Sequence, residues 1–234
     1  VTSPSSGAGP SSGADNQRPG RANFRLPWEI VVAPARAFDR IPLTPEWLLA
    51  IAIVTVLEGV AAYASFPAQA HVLLVLSRTL GTQKLTTGTV WENTVLPCTI
   101  AVVKIMLTAT ALTLFAGTRD VKKMIAYPAY LSLAANCGII AALGDFLVGL
   151  ADALRNPASF GDIRSLDMAF PVNMTIFADP SSPEQALFLT HFGLFTVWAD
   201  IVLAFGFAKL ANVRLVSALV FVFTLELVFP FILQ

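Results

Sequence analysis

The chain has 234 residues, of which 56% are hydrophobic and only 13% charged. A soluble domain usually carries about a quarter charged residues, so this composition argues against a water-soluble fold and predicts an integral membrane protein. The formal net charge is zero, which argues against nucleic acid as a partner and leaves the distribution of charge as the informative quantity.

Residues 1–22, "VTSPSSGAGPSSGADNQRPGRA", are mostly Ser, Gly and Pro. They have almost nothing apolar to bury and cannot offset their ordering entropy, so a disordered cytoplasmic tail is expected. No secretory leader is expected either, because the first long apolar run begins near Trp47. Residues 23–234 then form one membrane domain.

Its entry segment, "LPWEIVVAPARAFDRIPLTPEW", combines apolar residues with prolines and charges. Pro34 suits the first turn of a short helix running through Arg40, with Pro42 as its stop. On that helix Val31, Ala35 and Phe38 can share an apolar face, while Arg36 and Arg40 lie four apart on a polar one. The pattern predicts an amphipathic helix on the cytoplasmic membrane surface, with Trp28 in the same segment and Trp47 marking the interface where the first span begins.

Five segments are apolar and long enough to cross about 30 Å of hydrocarbon, which takes ~20 residues each. They lie at approximately 46–66, 94–117, 124–151, 186–208 and 214–234, giving an all-α bundle of five spans. The run "VLLVL" at 72–76 is too short to cross and reads as an interfacial or re-entrant turn. Basic residues gather in alternate connections. Arg18, Arg21, Arg25, Arg36 and Arg40 precede the first span, Arg119, Lys122 and Lys123 follow the second, and Lys209 and Arg214 follow the fourth. By the positive-inside rule the N-terminus is cytoplasmic and the C-terminus outside.

In the third span Ala134, Gly138 and Ala142 recur every four residues, a small-residue stripe that lets helices approach closely. Internal packing is its expected use.

Five ionisable residues fall within the spans. Glu58, Lys104 and Glu226 lie near the middle of theirs, and each costs about 2.5–3.5 kcal/mol at a helix centre on insertion scales. They should therefore face inward, with Lys104 paired to one or both glutamates. Such a centre either handles a cation or proton, or is a buried ion pair that fixes helix register. Asp145 and Asp200 are secondary, because their depth depends on helix tilt.

Nothing in the chain points to catalysis. There is no GxSxG, HExxH or GxxxxGK[ST] pattern. Cys98 and Cys137 form no CxxC pair and read as packing residues. His71 and His191 have no obvious third ligand, so no metal or other cofactor is expected.

Three runs resemble a known family. Ala33, Pro34, Phe38, Ile41, Pro45 and Trp47 stand in the order Ala-Pro-x-x-x-Phe-x-x-Ile-x-x-x-Pro-x-Trp ahead of the first span. "MIAYPAYLSLA" opens the third span after a short charged turn, and "LFTVWADIVLAFGFAKLANVRLVSALVF" covers the last two spans with a basic hairpin. Together they are similar to bacterial members of the Yip domain family, multi-span relatives of Ypt/Rab-interacting proteins, over roughly residues 27–230. "IPLTPEW" stands where eukaryotic members carry a DLYGP-like motif, and Gly193 stands where many bacterial relatives have Asp. The eukaryotic role of recruiting Rab GTPases is therefore not carried over. What the resemblance implies is a five-span fold in a bacterial cytoplasmic membrane, with no established activity. The expected function is a non-enzymatic scaffold that binds partners in the bilayer, either other membrane proteins or a second copy of the chain. The alternative is a small transporter, channel or transporter subunit built on Glu58, Lys104 and Glu226.

Overall fold

The computed structural model describes residues 25–41, 47–80, 90–118, 127–161, 189 and 193–233. The tail at 1–22, His191 and most of the long connection before the fourth expected span lie outside the described residues. Those that are described form helices α1 (Arg25–Val32), α2 (Pro34–Arg40), α3 (Trp47–Leu80), α4 (Val90–Gly117), α5 (Tyr127–Ala153), α6 (Leu194–Ala211) and α7 (Leu215–Leu233), with a 3-10 turn at Pro157–Ser159.

Four of these helices are long and apolar enough to cross a membrane, within Trp47–Val75, Glu92–Gly117, Tyr127–Ala153 and Leu194–Ala211. The fifth long helix, α7, has 19 residues and lies alongside them. Leu48, Val56, Val60, Tyr63, Leu96, Met106, Leu114, Val216 and Val220 are exposed on the outside of the bundle. An apolar exterior on this scale is what lipid requires and water does not tolerate.

Direction alternates along the chain, as the facing residues show. Thr55 and Gly59 of α3 face Cys98 and Thr94 of α4, so those two helices are antiparallel. Val54 and Ala61 of α3 face Gly138 and Gly149 of α5, which makes α3 and α5 parallel. Leu133 and Gly144 of α5 meet Gly206 and Phe195 of α6, and Lys104 and Phe115 of α4 meet Glu226 and Phe221 of α7. The pattern is therefore up, down, up, down, up.

Helix α5 is the most buried of the four and packs against α3, α4 and α6. Its small residues are the cause. Ala134 and Ala142 are buried against α3 and α4, and Gly138 sits against Ile105 and Val54. A Cβ at Gly149 would lie 2.5 Å from the Ala61 carbonyl oxygen, so α3 and α5 touch backbone to backbone there. With lipid as solvent, such close packing replaces the hydrophobic drive that assembles soluble bundles. The stripe packs the chain's own interior.

Two expectations need correction. The run at 72–76 is no separate turn, because α3 continues through it to Leu80, for 34 residues or about 50 Å. Ala68 and Val72 in the extension are buried under Phe160, which follows the 3-10 turn. The continuation passes Pro67, which removes one backbone donor but leaves the helix intact.

The second correction concerns the entry segment. Helix α2 has Pro34 in its first turn and runs to Arg40, with Arg36 exposed; the Arg40 side chain is outside the described residues. However, Ala35 is exposed, and the inward face is instead Leu26, Ile30, Ala37, Phe38 and Ile41, joined to the core formed by α4–α7. Phe38 reaches Gly206 so closely that a Cβ there would lie 2.8 Å from its ring. The segment docks on protein through this face, while Trp28 (67% exposed) and Val32 stay on the outside.

Candidate functional site: a charged cavity inside the bundle

Each of the five long helices contributes one ionisable side chain to a single cavity of about 410 Å3. These are Glu58 from α3, Lys104 from α4, Asp145 from α5, Asp200 from α6 and Glu226 from α7. Thr108, Cys137 and Thr196 add weaker polar groups, and Ala134, Gly138 and Ala141 leave the room. The expected centre of Glu58, Lys104 and Glu226 is thus joined by Asp145 and Asp200, whose part in it the sequence reading left open.

One pair is closed. Lys104 Nζ donates to Glu226 Oε1 at 2.7 Å, with 37% of the lysine side chain and 6% of the glutamate exposed. Glu226 is thereby matched in place, and the lysine still presents donors to the cavity. Glu58 and Asp145 form a second pair, their carboxyl groups within hydrogen-bonding reach. Asp145 itself remains accessible from the cavity.

Asp200 is different. It is 7% exposed, lines the cavity, and makes no hydrogen bond or ion pair among the described residues. Lys104 and Glu226 line the same cavity. Its carboxyl oxygens are open to the cavity, where a cation could reach them.

Four acids therefore stand against one lysine. Among the described residues, no three His, Cys, Asp or Glu side chains converge closely enough to hold a metal ion. The carboxyl groups are spread around a space of small-molecule size instead.

An aromatic layer lies across one end of this space. Phe115, Tyr130, Phe207 and Phe221 pack with ring centroids 4.4–6.1 Å apart. On each of α4, α5, α6 and α7 the aromatic residue lies beyond the cavity-lining residues, toward the end that carries the α6–α7 turn. That turn is made by Asn212 in the left-handed region (φ 51°), with the Val213 amide donating to the Ala208 carbonyl at 3.1 Å.

Asp145 had a signal in the sequence. Ala134 and Gly138 of the small-residue stripe line the cavity together with Ala141 and Asp145 at helical spacing, so two members of the stripe share a face with the acid. Asp200 was marked only as an acid within a span, since its environment comes from α4 and α7. The other singled-out residues lie elsewhere: Trp28, Pro34, Arg36 and Phe38 on the docked entry segment, and Trp47 at the start of α3. No protein-family model, curated protein or solved structure matches the chain.

Proposed function

We propose that the chain handles a cationic solute inside the bilayer, as a small transporter or transporter subunit. The observation that carries this reading is Asp200, a carboxyl with no hydrogen-bond or ion-pair partner among the described residues, lining a cavity to which every long helix supplies an ionisable group. The Lys104–Glu226 pair acts as a fixed strut, and Asp200 with the Glu58–Asp145 pair forms the acidic wall. A protonated amine fits this wall, because it brings several donors of its own to carboxyl acceptors on α3, α5 and α6. In this reading α7 is the fifth span, the N-terminus is cytoplasmic, the membrane is a bacterial cytoplasmic membrane, and the aromatic layer closes the cytoplasmic side.

The test is binding and flux with purified protein. Methylammonium should raise the thermal stability of the wild type in detergent and enter proteoliposomes faster than empty vesicles, and Asp200→Asn should remove both effects. Wild type and Asp200→Asn that behave alike in both assays would end the proposal.

The Yip-like scaffold is the second reading. The resembling sequence runs favour it, as do the exposed Trp28, Val32 and Arg36 on the docked α1–α2 segment. Crosslinking in cells from position 28 or 32 to one recurrent membrane protein supports it; crosslinks to lipid alone count against it.

A further inference from the structure

A second concavity lies on the outside of the bundle, apart from the charged cavity. It is a groove of about 500 Å3 between α2, α6 and the α6–α7 turn, and its lining includes Ala35, Phe38, Trp198, Phe205 and Leu215. Lys209 is the one charged side chain in the lining, and none of its residues is acidic. Along α6 the lining runs from Trp198 to Lys209, which at helical rise is about 16 Å. That matches the depth of one leaflet, half of about 30 Å.

Basic residues border the groove on both of its sides, α2 and the α6–α7 turn. Arg36 adjoins the lining residue Ala35, and Arg214 stands between lining residues Val213 and Leu215; both arginines are exposed. An apolar channel one leaflet deep with cations at its rim has the chemistry of a phospholipid, not of a protein helix. A helix would leave the arginines opposite its own apolar face, whereas a lipid puts a phosphate there.

We infer that this groove binds an anionic phospholipid, with one acyl chain along α6 and the phosphate between Arg36 and Arg214. Basic pockets beside membrane helices hold anionic headgroups in this way, and each arginine near such a surface contributes severalfold in affinity. The bound lipid clasps α2 to α6 and so links the docked entry segment to the lipid composition of the membrane. The site stands whether or not the charged cavity carries a solute.

Native mass spectrometry of the full chain from mixed micelles tests this. Phosphatidylglycerol and phosphatidylcholine with identical acyl chains are supplied together, with glycerol phosphate as a soluble control. Wild type should retain phosphatidylglycerol preferentially. Arg36→Gln or Arg214→Gln should cut that preference about fivefold, and the double variant about thirtyfold. Ala208→Trp, which fills the groove, should reduce retention of both lipids, and glycerol phosphate should not compete. Equal retention of the two lipids by wild type overturns the inference, as does an unchanged double variant. Competition by glycerol phosphate shows a phosphate site without the groove, and a change of oligomeric state with Ala208→Trp shows a second copy in it; either result also overturns the inference.

Discussion

Glu226 makes the strictest demand of any single residue, because its carboxyl is buried in a helix bundle whose outside is lipid. Lys104 meets that demand at 2.7 Å. Lys104→Met should therefore destabilise the bundle by about 3 kcal/mol, the lower end for an orphaned buried charge, since the lysine is partly open to the cavity. Adding Glu226→Gln should recover most of the loss, as read by thermal melting in detergent. Asp200→Asn should instead leave stability within about 0.5 kcal/mol, because no hydrogen bond or ion pair is broken among the described residues. A large loss there would mean that Asp200 is structural. Glycine gives a steric counterpart. Gly149→Ala forces a Cβ against the Ala61 carbonyl and should cost about 1–3 kcal/mol, whereas Gly161→Ala meets nothing within 4 Å and should be neutral. The sequence marked Glu58, Lys104 and Glu226 by their position at mid-span. It ranked Asp200 only as a secondary acid, because nothing within α6 distinguishes an acid facing lipid from one facing α4 and α7.

Among the elements, α3 differs most from its expectation. Hydropathy ended the first span near residue 66 and left the run at 72–76 as too short to cross by itself. A proline removes only one donor, and burial of Ala68 and Val72 under Phe160 outweighs that local cost. Phe160→Ala should thus loosen the end of α3 beyond Pro67, seen as faster amide exchange there, while exchange in residues 50–60 stays unchanged. Helices α1 and α2 carry the same lesson. The boundaries of α2 were readable from Pro34 and Pro42, but helix α1 and the buried face of both were not, because the surface they cover comes from α5 and α6. Gly206→Val should push Phe38 out and raise the accessibility of a cysteine placed at position 37 to a soluble thiol reagent, with α6 itself retained.

For the whole molecule the proposed orientation, with the N-terminus and the α6–α7 turn on the cytoplasmic side, has a direct test. A C-terminal alkaline phosphatase fusion should be active and one inserted within 118–123 inactive; the reverse pattern would invert the protein in the membrane. The sequence by itself determined that the chain is helical, that it lies in a membrane, and roughly where its helices run. Those properties follow from apolar length and from the backbone's need to satisfy its own hydrogen bonds in lipid, both local to each segment. Tertiary structure alone decided that five charged groups from five helices share one cavity, that an aromatic layer lies across one end of it, and that the entry segment docks by Phe38 against Gly206. These depend on the rotation and register of one helix against another. Register is set by small residues meeting across helices, a relation between distant positions that no single segment carries.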